Sequence, residues 1–158
     1  MKRMEFWFST VAAIALFVMM WLTVVDVVGR KFFEHSLFGA VELTEIFMTL
    51  TIFFALPLAS LASEHIVFDL LDRALPAAVL RYQKALSQLL TGLIMGGASW
   101  VVAGRAARTA EYGDITAQIG IVLWPFHYLI ALMLGIAAVI HLVLFVRELR
   151  VRQVGDLA

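Results

Sequence analysis

Four long apolar runs dominate this sequence, and each is long enough to cross a lipid bilayer. A spanning helix needs about 20 predominantly apolar residues. The runs cover about residues 6–28, 41–62, 85–104 and 120–146. Within the fourth run, Trp124-Pro125 predicts where regular helix begins, since proline fits the first helical turn. The pattern predicts an all-α integral membrane protein with four transmembrane helices, which form a single membrane domain over residues 1–158.

The composition agrees with a membrane location. Hydrophobic residues make up 63% of the chain and charged residues 15%, against about 45–50% and about 25% in soluble domains. A soluble core of this size could not bury so much apolar surface, so the excess must face lipid or a large partner. Cysteine is absent from the sequence, which excludes disulfides and thiolate metal sites. The zero net charge gives no general attraction to nucleic acid.

The distribution of Lys and Arg predicts the orientation, because these residues are enriched in cytoplasmic loops. The N-terminus, the loop between the second and third runs and the C-terminal tail together carry eight of the twelve. The other two loops carry four. Both termini are therefore expected in the cytoplasm, and the short loops at residues 29–40 and 105–118 are expected on the outer side.

Charged residues gather where the first run ends and the second begins. Asp26 and Arg30 have the i, i+4 spacing of a helical ion pair. Glu42 and Glu45 lie on one face of the second helix, where its dipole stabilises a carboxylate by about 0.3–1 kcal/mol. Arg30 could also pair with either glutamate across the short loop. A structural role is favoured. The alternatives are a contact surface for a partner and the handling of protons or cations.

The inner loop after the second run reads as a short amphipathic helix over about residues 65–75. Asp69 and Arg73 form an i, i+4 pair of favourable orientation, and apolar residues lie between them. Such a segment would lie on the inner membrane surface. His65 at its start is expected to hydrogen-bond at the interface. A plain continuation of the second helix is the alternative.

The second outer loop and the third run leave two interpretations open. Arg105 and Arg108, with nearby acidic residues, predict a solvated turn or a docking site for a partner outside the cytoplasm. The Gly92-x-x-x-Gly96 pattern predicts close packing against another helix.

Two histidines share the fourth run. His127 and His141 are 14 residues apart, which places them on one helical face about 21 Å apart. One alternative function is therefore a haem-binding membrane anchor, although a second helix would have to complete each site. The main expectation is that this chain holds no cofactor.

Three stretches resemble a known transporter family. They are residues 30–33 (RKFF), 39–45 (GAVELTE) and 65–71 (HIVFDLL). In order and spacing they resemble the small membrane subunit, the Q-type or DctQ-like subunit, of tripartite ATP-independent periplasmic (TRAP) transporters. The residues that carry this resemblance lie between Val28 and Pro76.

The resemblance implies a set of partners and a role. Such a subunit pairs with a large multi-span membrane subunit that holds the substrate and sodium sites. A periplasmic solute-binding protein delivers an organic acid, such as a C4-dicarboxylate, a sialic acid or another sugar acid. Ion gradients drive uptake across the bacterial inner membrane. The small subunit is expected to be a non-enzymatic scaffold, in contact with membrane lipid, that helps to dock the binding protein.

The residues themselves agree with an accessory role. Transport pathways usually contain broken helices or polar residues near the membrane midplane, and the centres of these four runs are nearly all apolar. The competing transport hypothesis is a small dimeric proton-coupled exporter that uses Glu42 or Glu45.

Overall fold

The computed structural model describes residues 2–62 and 77–155, and these form four long helices. The helices are α1 (Lys2–Phe33), α2 (Ala40–Ala62), α3 (Ala77–Tyr112) and α4 (Trp124–Gly155). Each contains a stretch long and apolar enough to cross a membrane. The predicted all-α, four-span fold is therefore confirmed. The predicted segment at residues 65–75, with His65, Asp69 and Arg73, lies outside the described residues.

Three of the helices exceed the thickness of a bilayer. Both α1 and α4 contain 32 residues and α3 contains 36, which corresponds to about 48–54 Å at 1.5 Å per residue. The hydrocarbon core is only about 30 Å thick. These helices must tilt within the membrane or project beyond it.

The third helix is longer than predicted, and the predicted loop at residues 105–118 is partly wrong. Helix α3 continues through Arg105 and Arg108 and ends at Tyr112. The segment after Gly104 is rich in alanine and arginine, which are strong helix formers. Helical hydrogen bonding stops only at Gly113, where φ is 68°. The polar composition of this segment was a poor guide to where the helix ends.

The helices pack in the spatial order α1, α2, α4, α3. Helix α4 is the most enclosed, with 39% of its most apolar stretch buried inside the chain, against 11% in each of the other three helices. Within residues 2–62 and 77–155, no extensive contact joins α1 to α3 or α4. The arrangement is an open row of helices and not a closed bundle.

Small residues bring α3 and α4 close together. A Cβ added to Gly92 would lie 3.3 Å from Leu142 of α4, and one added to Gly96 would lie 3.8 Å from Ala138. The prediction made from the Gly92-x-x-x-Gly96 pattern is confirmed by these contacts. Close approach of backbones is the usual way in which membrane helices gain packing energy.

Two polar contacts also join α3 to α4. The Ser99 hydroxyl donates to the backbone carbonyl of Ala131 at 2.7 Å. Nearer the other end of the pair, a ring nitrogen of His141 contacts the side-chain oxygen of Gln88. Hydrogen bonds of this kind fix the register of neighbouring helices in a membrane.

Candidate functional site

Four of the predicted site residues lie at one end of the helix row. This end, here called the loop edge, holds the α1–α2 loop (residues 34–39) and the α3–α4 loop (residues 113–123). Asp26 and Arg30 belong to the last turns of α1, and Glu42 and Glu45 to the first turns of α2.

Asp26 fastens the α1–α2 loop to α1. Its carboxylate is 2.6 Å from the guanidinium of Arg30, which is the ion pair predicted from their spacing. The same carboxylate accepts a hydrogen bond of 2.9 Å from the backbone N–H of Leu37 and one of 3.2 Å from the hydroxyl of Ser36. With 8% of Asp26 exposed, the carboxylate serves as an internal anchor for the loop.

Helix α1 ends in a strained turn next to this anchor. The N–H of His35 donates to the carbonyl of Gly29 at 3.4 Å and so closes the chain back onto the last turns of α1. Glu34 occupies the left-handed position with a φ of 54°. Glycine usually fills this position, because a Cβ is unfavourable there.

Glu42 contacts the α3–α4 loop. Its carboxylate accepts a hydrogen bond of 3.0 Å from the N–H of Ile119 and a second from the N–H of Gln118. The Gln118 side chain returns the contact by accepting a hydrogen bond of 3.1 Å from the N–H of Gly39. The alternative pairing of Arg30 with Glu42 is wrong, because Arg30 pairs with Asp26 and Glu42 accepts hydrogen bonds from the α3–α4 loop.

The α3–α4 loop is a small hydrogen-bonded hairpin. Ile115 and Val122 face each other in an isolated antiparallel bridge. The N–H of Thr116 donates to the carbonyl of Ile121 at 2.9 Å, and the N–H of Ile121 donates to the Thr116 hydroxyl at 3.0 Å. Gly120 completes the turn with a φ of 73°. The loop therefore has a defined shape of its own.

Gly39 lies where the two loops meet. Its φ is 73°, a conformation that side-chain-bearing residues rarely adopt. A Cβ at this position would be 2.1 Å from the Cδ1 atom of Ile119. Only glycine allows both the turn into α2 and the seating of Ile119 over it.

Comparison with protein families identifies the chain. The model of the family described as "Tripartite ATP-independent periplasmic transporters, DctQ component" matches residues 19–151. The chain belongs to the DctQ family. It is therefore a small membrane subunit of a TRAP transporter, as its motifs predicted. Comparisons with curated proteins and with solved structures give no significant match.

In this DctQ subunit, Glu45 stands apart from the Glu42 contact. It lines a shallow groove of about 270 Å³ between α1 and α2, together with Asp26 and Arg30. Its side chain is exposed, and among the described residues no hydrogen bond or ion pair reaches its carboxylate. Glu45 is thus chemically available at the loop edge, and Glu42 is already engaged.

The two arginines of the predicted outer loop form no described contact with Asp26, Glu42 or Glu45. Arg105 and Arg108 are exposed on the last turns of α3, and Arg108 bonds to the carbonyl of Gly104 in its own helix at 3.4 Å. A role for them in contacts with other proteins of the DctQ system stays a prediction.

The two histidines of α4 both have partners within the DctQ chain. His127 contacts the carbonyl of Leu123 at 3.0 Å, at the start of its own helix. His141 is 7% exposed and contacts Gln88. The contact of the His127 ring thus lies within α4, and the contact of the His141 ring joins α4 to α3.

Sequence reasoning missed Gln118, Ile119 and Leu37. Their contribution is mostly a backbone N–H, which every residue type except proline provides. In addition, Gln118 is 76 positions away from Glu42 along the chain. Periodicity and motif spacing report on neighbours within a few helical turns, so no local signal could have paired these residues.

Proposed function

We propose that this DctQ subunit is a scaffold for the large membrane subunit of a TRAP-type importer. The observation that supports the proposal is the amount of uncovered surface. The chain exposes 11268 Å², whereas a compact soluble monomer of 17.6 kDa exposes about 7,900 Å². Lipid can cover such a surface, and so can a large partner helix bundle.

The exposed side chains are of the kind that suits a partner in the membrane. Large apolar and aromatic side chains are exposed on all four helices. They include Trp7, Trp21, Ile52, Trp100, Val139 and Val143. Apolar surface that the chain cannot bury by itself typically marks an interaction site.

The described helices contain few features of a transport pathway. Helices α1, α3 and α4 are continuous, and within α2 the described irregularity is Pro57. The two grooves at the loop edge, of about 580 and 270 Å³, are shallow and lie near helix ends. Pathways in secondary transporters are built from discontinuous helices near the midplane. In this proposal the large subunit therefore carries the substrate and sodium sites.

The proposed orientation places the loop edge on the periplasmic side of the bacterial inner membrane, with both termini in the cytoplasm. Its support is the excess of Lys and Arg on the opposite side. The loop edge would then face the solute-binding protein, and Phe38 and Tyr112, which are 76% and 77% exposed, would be available for docking. The transported solute is proposed to be an organic acid.

Copurification and uptake test the proposal. The large subunit should be recovered with this chain from detergent-solubilised membranes. Deleting the chain should abolish solute uptake by the complex in proteoliposomes. Unchanged assembly and unchanged uptake after deletion would refute the scaffold role. Solute movement by this chain alone in proteoliposomes would support the exporter hypothesis instead.

A further inference from the structure

The hairpin loop directs two successive backbone N–H groups at a single carboxylate. The N–H groups of Gln118 and Ile119 donate to the two oxygens of Glu42. Successive backbone N–H groups that converge in this way form a nest, a concavity suited to an anion.

The nest does not depend on Glu42 for its shape. The loop is held by its own contacts, the bond of 2.9 Å between the Thr116 N–H and the Ile121 carbonyl and the bond of 3.1 Å between the Leu123 N–H and the Asp114 carbonyl. Neither contact includes an atom of α2. Removing the Glu42 carboxylate should therefore leave the donors in place without a partner.

Glu42 also connects two halves of the molecule. The α1–α2 pair and the α3–α4 pair meet at the loop edge through the Glu42 carboxylate, the bond from Gly39 to Gln118 and the seating of Ile119 over Gly39. A charged acceptor forms hydrogen bonds about twice as strong as a neutral one. The carboxylate is thus the strongest single polar element of this junction.

We propose that the hairpin loop is a carboxylate-binding nest and that Glu42 is its built-in ligand. Together they form a latch that holds the two helix pairs at a fixed separation. In a Glu42→Ala variant the empty nest takes up a small monocarboxylate. Acetate is the matched probe, because its four heavy atoms equal those that the substitution removes. The proposal does not depend on the scaffold function, since every contact in the latch lies within this chain.

Distance measurements on the full-length chain in nanodiscs test the latch. The sequence has no cysteine, so Lys31→Cys and Ala110→Cys introduce two unique sites for spin labels on exposed positions of α1 and α3. The parent chain should give one narrow distance distribution. Glu42→Ala should broaden it, and acetate should narrow it again in a saturable manner.

Three comparisons make the result specific. Chloride at the same ionic strength should restore the narrow distribution less effectively than acetate, because a single spherical ion does not supply the two acceptor oxygens that the Glu42 carboxylate offers to Gln118 and Ile119. Benzoate should be less effective than acetate, because its ring exceeds the space that the substitution leaves. Glu45→Ala is the matched control, since it removes a carboxylate one turn along the same helix that has no contact with the loop, and its distribution should equal that of the parent.

Two outcomes would overturn the proposal. One is a distance distribution in Glu42→Ala that equals that of the parent, because the latch would then hold nothing. The other is a broadened distribution that acetate does not narrow, because the loop would then not keep the shape of the nest without the Glu42 side chain. If Glu42→Ala does not fold, Glu42→Gln takes its place, and its distribution should be broader than that of the parent because one acceptor oxygen is lost.

Discussion

Gly39 is the position at which a single added methyl group should do the most damage. In Gly39→Ala the new Cβ would lie 2.1 Å from the Cδ1 atom of Ile119 and 2.2 Å from its Cγ1 atom. Real side chains do not approach this closely, so Ile119 or the backbone must move. Because the backbone N–H of Ile119 donates to Glu42, any shift of the Ile119 backbone that relieves the overlap would also disturb the junction between the helix pairs.

The expected loss of stability in Gly39→Ala has two parts. Placing alanine at a φ of 73° costs about 1–2 kcal/mol. Relieving the overlap with the partly exposed Ile119 side chain costs about 0.5–1.5 kcal/mol, the cost of an unfavourable rotamer. The free energy of unfolding should therefore fall by about 1.5–3.5 kcal/mol, which is a sizeable share of the total of about 5–15 kcal/mol that is typical of a folded domain.

The assay is reversible unfolding of the full-length chain in detergent, with three variants as references. Gly113 has a φ of 68° and open space around it. Gly113→Ala should therefore lower the free energy of unfolding by only the backbone cost of about 1–2 kcal/mol. Gly97 lies within α3, and a Cβ added there would meet no atom within 4 Å. Gly97→Ala should therefore raise the free energy of unfolding by about 0.5–1 kcal/mol. The double variant Gly39→Ala/Ile119→Ala should be more stable than the two single effects predict, because truncating Ile119 removes the overlap.

Two results would refute this reasoning. If Gly39→Ala unfolds within a few tenths of a kcal/mol of the parent, the junction does not have the described geometry. If the two substitutions in the double variant are simply additive, Ile119 is not the group that the new methyl meets.

Three further predictions concern the helix ends, the helix interior and the membrane orientation. Glu34→Gly should raise the free energy of unfolding by about 1 kcal/mol, because glycine removes the strain of a φ of 54°; a loss of stability in chemical unfolding would contradict this. Gln88→Ala should lower the free energy of unfolding by about 0.6–2 kcal/mol, because it removes the contact with His141. Ser87→Ala, at an exposed neighbouring position, is the control and should leave that free energy nearly unchanged. A cysteine replacing Phe38 should react with a membrane-impermeant maleimide from the periplasm and one replacing Tyr82 should not; the reverse pattern would invert the proposed orientation.

The helices could be predicted from the sequence because the signal for them is local. Runs of apolar residues located all four spans, and Trp124-Pro125 marked the true start of α4. The end of α3 was misjudged because the polar segment after Gly104 was interpreted as loop, although its residues favour helix and the breaker comes only at Gly113. Polarity reports on the solvent around a segment and not on its backbone conformation.

The site was only partly predictable for a related reason. The ion pair between Asp26 and Arg30 follows from a spacing of four residues within one helix. The partner of Glu42 could not be found in this way, because it is a set of backbone N–H groups in a loop formed by a distant part of the chain. Which loops meet depends on the packing order of the helices, and apolar membrane helices carry little sequence information about their neighbours.

The open row has a further consequence at its two ends. Helices α1 and α3 each have a described neighbour on one side only, much as the outer strands of a β-sheet do. Outer strands recruit additional strands unless something blocks them, and an unblocked terminal helix in a membrane offers the same opportunity to any helix that diffuses past. We expect a chain made without a partner at these ends to add copies of itself there. If the proposed scaffold role holds, the relative rates of synthesis of the subunits become part of what determines whether the transporter assembles correctly.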